Sequence, residues 1–118
     1  MNKFRSSLRY AIRGFFTAIR SETNLRIHLV VAVIVCAVGF WLQLSIPEWI
    51  AVVICIAVVF GFELMNTAIE HLCDLVTKEQ HPTIKTIKDI AAAAVLIVCL
   101  GSIVIGVIIF LPKLIHLI

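Results

Sequence analysis

The sequence predicts an all-α integral membrane protein, with one amphipathic helix at the membrane surface followed by three transmembrane helices. Of its 118 residues, 62% are hydrophobic, and the mean hydropathy is +1.12. Both values lie well above those of a soluble domain of this length. Three apolar stretches, each close to or above the roughly 20 residues that cross a bilayer, are separated by short polar segments. The length fits a single domain over residues 1–118.

Residues 2–21 are predicted to form the amphipathic surface helix. Its apolar side chains fall within a sector of about 140°; they are Phe4, Leu8, Ala11, Ile12, Phe15, Phe16 and Ile19. The opposite side carries Arg5, Arg9, Arg13 and Arg20. An arginine face opposite an apolar face suits the membrane interface and its anionic lipid head groups.

The three spans are expected at residues 25–44, 49–76 and 84–111. Pro47 lies in the short turn before the second span, where proline favours the start of a helix. The second span, roughly 40 Å long, exceeds the roughly 30 Å hydrocarbon core. Pro112 is expected to end the third span.

The basic residues predict the orientation. Six Lys or Arg residues precede residue 27 and three lie in residues 77–88, whereas only Lys113 lies near the C-terminus. By the positive-inside rule, the N-terminus and the second loop face the cytoplasm, and the C-terminus lies outside. We therefore expect a multi-pass membrane protein with its polar loops mainly on the cytoplasmic side.

A polar stripe interrupts the second span. Glu63 lies about 20° from Glu70 and from Asp74 around the helix, and about 60° from Asn66. Polar groups on a hydrophobic helix are costly in lipid and indicate a functional site by default. Measured from Trp49, Glu63 lies about 21 Å and Glu70 about 31 Å along the helix, so the stripe straddles the cytoplasmic interface.

Further polar residues are predicted in the same layer. Glu22 precedes the first span, and Lys88 and Asp89 open the third. Carboxylates suit Mg²⁺, and a lysine suits a phosphate, so the group could serve phosphoryl transfer. No glycine-rich phosphate-binding loop is present. From the residues alone, an ion or proton pathway and polar contacts that merely hold helices together remain open.

A long motif runs through the second and third spans. It reads Glu63-Leu-Met-Asn66-Thr67-Ala68-Ile69-Glu70, followed by Asp74 and then by Lys88-Asp89-Ile-Ala-Ala-Ala-Ala-Val. The motif resembles that of the small membrane-embedded prokaryotic diacylglycerol kinases, and the resemblance extends over the whole chain. It implies a homotrimeric lipid kinase that uses ATP and Mg²⁺ at sites shared between subunits.

The resemblance also implies roles for individual residues. Glu22 and Glu70 match the metal-binding carboxylates, and Glu63 matches the proposed general base, with Asn66 beside it. Lys88 matches the phosphate-contacting lysine. The remaining positions, which surround the nucleotide, are Asp89, His81 and Tyr10.

The acceptor is predicted to be undecaprenol or diacylglycerol. Residues 24–28, Asn-Leu-Arg-Ile-His, and the Phe-Leu-Pro ending look like the branch that phosphorylates undecaprenol. His28 replaces an acidic residue of the Gram-negative diacylglycerol kinases, which bears on the acceptor and not on the phosphoryl-transfer chemistry. A small proton-coupled transporter is the alternative, although such proteins typically have four spans. No nucleic-acid partner is expected.

Overall fold

The computed structural model describes residues 2–118, and all four of its secondary-structure elements are α-helices. They are α1 (Asn2–Ser21), α2 (Thr23–Trp41), α3 (Ile46–Val76) and α4 (Pro82–Leu117). The last three are each long and apolar enough to cross a membrane. The predicted all-helical architecture with three spans is confirmed, and each span differs from its predicted range by a few residues at one or both ends.

Helix α1 packs through a narrow stripe on the end of the bundle that carries the loop between α3 and α4. We call this end the inner end and the opposite one, with the α2–α3 turn, the outer end. Ala18 is buried, and the ring of Phe15 lies 6.2 Å from that of Phe60 in α3. The outer apolar side chains stay exposed, including Phe4, Ile12 and Phe16. This helix is amphipathic as predicted, and its open apolar face suits a lipid surface.

The turn between α2 and α3 is defined by side-chain caps. The Ser45 hydroxyl accepts a hydrogen bond from the Glu48 N–H, while the Glu48 carboxylate accepts one from the Ser45 N–H at 2.8 Å. This reciprocal capping box satisfies two backbone donors that a helix start leaves free. Pro47 lies in the first turn of α3, as expected. Gln43 turns the chain with a φ of 56°.

Pro112 does not end α4, and that expectation was wrong. The helix continues for about one and a half further turns to Leu117, with Pro112 in its interior. Proline removes one backbone hydrogen bond and crowds the preceding turn, so a stop was the local expectation. The continuation carries Lys113, whose ammonium lies 3.2 Å from the Glu48 carboxylate at the start of α3. This ion pair joins the outer ends of the two longest helices.

A small apolar core closes the outer end of the bundle. Leu44, Val52 and Ile109 are buried there, one from the α2–α3 turn and one from each long helix. Trp49 packs against this core, and its ring lies 4.7 Å from that of Phe40. Most other large apolar side chains are exposed, as expected for surfaces that face lipid or further subunits.

We expect Gly39→Ala to lower the thermal unfolding temperature in detergent micelles. A Cβ at Gly39 meets the Trp49 ring at 2.8 Å and the Leu44 side chain at 3.0 Å. Overpacking costs about 1–3 kcal/mol, against up to about 1 kcal/mol of gained helix propensity. Trp49 packs against the buried core of Leu44, Val52 and Ile109, which limits its freedom to move away.

Gly61→Ala in α3 is the matched control. A Cβ at Gly61 meets nothing within 4 Å, so this variant is expected to unfold at the wild-type temperature or slightly above it. Equal or raised stability of the Gly39 variant contradicts the close contact with Trp49.

Candidate active site

The inner half of α3 carries the buried polar residues of the described chain. Glu63 is 3% exposed, Thr67 is 5% exposed and Asn66 is 9% exposed, and all three lie within five consecutive residues of a largely apolar helix. A buried carboxylate and amide are costly without partners, so their surroundings decide what they can do. The predicted face of α3 is therefore turned into the protein at this level.

Glu63 faces His28, which lies in the second turn of α2. Nε2 of His28 is 3.8 Å from Oε2 of Glu63, and the two side chains are 23% and 4% exposed. The His28 ring also packs edge-on against Phe60, with ring centroids 6.4 Å apart. Thus an imidazole lies within 4 Å of this carboxylate.

Asn66 has an unpartnered side-chain oxygen. Its Oδ1 is fully buried and makes no hydrogen bond within residues 2–118. Buried polar atoms in native proteins nearly always have a partner, and an unsatisfied one calls for an explanation. An amide oxygen one turn from Glu63 can accept a hydrogen bond from a substrate or coordinate a hard cation.

Glu22 lies at the junction of α1 and α2 and turns towards α3. It occupies the N-cap position of α2, yet its side chain makes no capping hydrogen bond. Its Oε1 lies 3.7 Å from Nε2 of His71, the residue after the half-buried Glu70. The junction therefore brings Glu22 next to the Glu70 turn of α3. The sequence reasoning missed His71, although a histidine directly after a predicted metal carboxylate was a visible signal.

Lys88 is held across the second loop by Asp74. Its ammonium donates to Oδ1 of Asp74 at 2.7 Å and links the end of α3 to the second turn of α4. Asp89 instead accepts from Lys85 at 2.7 Å, with both side chains well exposed. The two adjacent residues Lys88 and Asp89 thus contact different partners.

The second loop encloses a polar cavity of about 470 Å³. Asp74 and Lys88 line it together with His81, whose Nδ1 accepts from the Thr83 N–H and caps α4. Three basic side chains, those of Lys78, Lys85 and Lys88, and two acidic ones, those of Asp74 and Glu79, line the same space and leave it with one net positive charge. Such a cavity has the charge and the size to take an anionic, water-soluble group.

The predicted site residues do not form one compact cluster in the single chain. No group of three or more His, Cys, Asp or Glu side chains within residues 2–118 is arranged to hold a metal. Glu63 and Asp74 are separated by about 16 Å along α3. Tyr10 is exposed on α1, where the Arg13 guanidinium lies 5.8 Å from its ring centroid. The roles predicted for these residues stay predictions.

An apolar cavity of about 390 Å³ lies between α2, α3 and α4. It begins at His28 and Phe60 near the inner end of the bundle and reaches Phe110 near the outer end. Apart from His28, Ser102 and two cysteines, its lining consists of hydrocarbon side chains and small residues. The inner end of this long apolar cavity, at His28, therefore lies close to the buried carboxylate of Glu63.

Comparison with known proteins decides the family. The family model described as prokaryotic diacylglycerol kinase matches residues 9–110, which include every predicted site residue. The chain belongs to the prokaryotic diacylglycerol kinase family. The resemblance that the motif predicted is therefore confirmed.

Three relatives illustrate the range within the family. An undecaprenol kinase of Bacillus subtilis is 44% identical over 97% of this chain and 93% of its own length. A diacylglycerol kinase of Haemophilus influenzae is 31% identical over 89% of this chain and 90% of its own. A diacylglycerol kinase of Synechocystis is 36% identical over 94% of this chain and 64% of its own. Both acceptor types that the sequence predicted thus occur among the relatives.

We expect Lys88→Met to reduce lipid phosphorylation by about 10²- to 10³-fold, the usual cost of removing a group that stabilises transferring charge. The unfolding temperature should hardly change, because a partly exposed ion pair contributes little to stability. Initial rates with MgATP and thermal unfolding in the same micelles measure the two quantities.

Lys85→Met provides the control, since it removes a lysine from a bond of the same length one turn earlier in α4. Its activity should fall much less than that of the Lys88 variant. Equal losses in the two variants contradict a specific role for Lys88.

Proposed function

We propose that this chain is a lipid kinase, which transfers the γ-phosphoryl group of MgATP to the hydroxyl of a membrane lipid alcohol. The observation that carries the proposal is the buried Glu63 carboxylate, which lies 3.8 Å from His28, a residue that lines the inner end of the apolar cavity. Family membership supports the same reaction. The two substrates of this reaction differ in solubility. A soluble nucleotide and a lipid alcohol can meet only at the membrane surface.

Glu63 is the general base in this proposal. The acceptor oxygen attacks the γ-phosphorus, its proton passes to the Glu63 carboxylate, and the bond from the γ-phosphorus to ADP breaks. A base must lie within hydrogen-bond reach of the proton that it removes. The apolar cavity gives a lipid alcohol a path to His28, whose imidazole lies 3.8 Å from the Glu63 carboxylate, and this supports the assignment.

Lys88 contacts the phosphates, and the nucleotide enters at the polar loop cavity, from which its triphosphate extends along α3 towards Glu63. The bond to Asp74 keeps Lys88 at the rim of that cavity, where an incoming phosphate can replace the carboxylate as its partner. His81, Asp89 and Tyr10 are proposed to surround the nucleotide. Asn66, with its free buried oxygen, completes the nucleotide-binding set. Catalysis would then depend on positioning and on charge stabilisation.

Glu22 and Glu70 are the proposed Mg²⁺ ligands. Magnesium in kinases is often held by one or two carboxylates together with substrate phosphates, so two protein carboxylates are a sufficient set. The turn of Glu22 towards the Glu70 region and the orphaned amide oxygen of Asn66 fit an oxygen-ligand site. The ion would neutralise charge on the phosphates.

Undecaprenol is the preferred acceptor, with diacylglycerol as the second candidate. The apolar cavity is long and lined mainly by hydrocarbon, which suits one slim prenyl chain. Diacylglycerol brings two chains and ester carbonyls that require polar partners near the interface. The similarity to the Bacillus subtilis enzyme named undecaprenol kinase supports the same choice.

We further propose a homotrimer in a bacterial cytoplasmic membrane, with the N-terminus and the site on the cytoplasmic side. The asymmetry of the basic residues supports the orientation. The extensive exposed apolar surface and the absence of a compact metal cluster in residues 2–118 are consistent with sites shared between subunits. The transporter alternative is not favoured, because the family and the three candidate spans both point to the kinase.

We expect Glu22→Gln and Glu70→Gln each to lower kcat by about 10²- to 10³-fold, since each removes charge from the proposed metal site. Rates measured over a range of Mg²⁺ concentrations should show the greatest loss where Mg²⁺ is limiting. Wild-type turnover of either variant under that condition contradicts the metal assignment.

The control for both is Glu48→Gln at the outer end. Glutamine can still serve in the capping box, so this variant loses mainly the ion pair with Lys113. Its dependence on Mg²⁺ should equal that of the wild type.

The acceptor is tested by kcat/KM for undecaprenol and dioleoylglycerol in the same mixed micelles, because specificity is the ratio of these values. We expect the ratio to favour undecaprenol. A ratio of about tenfold or more towards dioleoylglycerol overturns the preference and leaves the kinase assignment standing.

A cavity variant shows whether the acceptor chain occupies the apolar cavity. Gly106 lines it, and a Cβ there meets no atom within 4 Å, so Gly106→Leu should fill the space and raise the KM for the lipid alone. Gly101→Leu, about 140° around the same helix and outside the lining, is the control. Equal effects of the two variants contradict this placement.

A further inference from the structure

The gap between His28 and Glu63 has a length that suits a bridging group. The two facing atoms, Nε2 and Oε2, are 3.8 Å apart, which is too long for a direct hydrogen bond. One oxygen atom can nevertheless lie about 2.8 Å from both of them, which is an ordinary hydrogen-bond distance. The three atoms then form a triangle with a roughly right angle at the oxygen.

The His28 ring is held by a chain of aromatic contacts that runs from α2 through α3 to α1. It lies on α2, its edge meets Phe60 of α3 at a centroid distance of 6.4 Å, and Phe60 in turn packs on Phe15 of α1. With its side chain only 23% exposed, the ring has little freedom to leave the cavity wall. A donor fixed in this way is preorganised for a substrate group.

The apolar cavity offers few other places for a polar head. His28 lines its inner end, whereas Ser102, its other strongly polar lining residue, lies about 21 Å along α4 from Lys88. At the inner end of the cavity, a hydroxyl therefore finds strongly polar partners among residues 2–118 only at His28 and at the adjacent Glu63. The apolar cavity and the gap between His28 and Glu63 therefore both suit the hydroxyl of a lipid alcohol.

We propose that His28 binds the acceptor hydroxyl and orients it for transfer. The His28 Nε2–H donates to the hydroxyl oxygen, while the hydroxyl proton points to Oε2 of Glu63. The remaining lone pair of that oxygen forms the bond to the γ-phosphorus, the proton moves to Glu63, and ADP leaves with the electrons of the broken P–O bond. His28 keeps its proton throughout. This role rests on the proposed lipid kinase function.

His28→Leu and His28→Gln test the role. Leucine preserves the packing against Phe60 but has no donor, so kcat/KM for the lipid acceptor should fall roughly 10- to 100-fold, while the KM for MgATP stays within about twofold. The glutamine amide can donate, so His28→Gln should recover most of the lost activity. A purely structural role does not predict this rescue or this separation of the two substrates.

His116→Leu, in the last turn of α4, is the matched control and should behave like the wild type. If His28→Leu fails to insert, His28→Phe keeps a planar ring without the donor and gives the same comparison. If the wild type is active and these variants keep its acceptor kinetics, the role of His28 is overturned and the kinase function still stands. Equal losses towards lipid and nucleotide also overturn that role, and a wild type that forms no ADP with any lipid alcohol overturns the kinase function itself.

Discussion

The burial of a carboxylate in an apolar helix is the constraint on which the rest of the structure depends. Glu63 is almost fully enclosed, and an isolated charge in such a place is strongly unfavourable without partners. The protein places it just past the middle of α3, against the first turns of α2, where His28 lies 3.8 Å away. Helix α1 then covers this end of the bundle through Phe15 and Ala18.

The polar face of α3 separates two spaces of opposite character. The apolar cavity lies between the spans and ends beside Glu63, and the polar cavity lies at the second loop beside Asp74 and Lys88. Asn66 and Glu70 occupy successive turns between these two ends, on the same side of the helix. A reaction between a lipid alcohol and an anionic nucleotide requires both an apolar and a polar environment, because neither substrate is soluble in the surroundings of the other.

The outer end carries none of the candidate site residues. Its contacts fix the positions of the spans relative to one another. The capping box at Ser45, the contact of Gly39 with Trp49 and the ion pair between Glu48 and Lys113 all lie there. The ion pair exists only because α4 continues through Pro112. Local propensity gave no reason for that continuation, and the partner on α3 supplies a tertiary one.

The sequence by itself determined the helices, their order and the family. Local patterns encode helices well. Such patterns here are the long apolar runs, the capped turn at Pro47 and the spacing of Glu63, Asn66 and Glu70. Only the tertiary structure decided the partners of these residues. The pairs His28–Glu63, Glu22–His71 and Asp74–Lys88 join residues at least 14 positions apart in the chain, so no helical period relates them. The two cavities likewise exist only between packed helices, because a cavity is a property of the space that several elements enclose together.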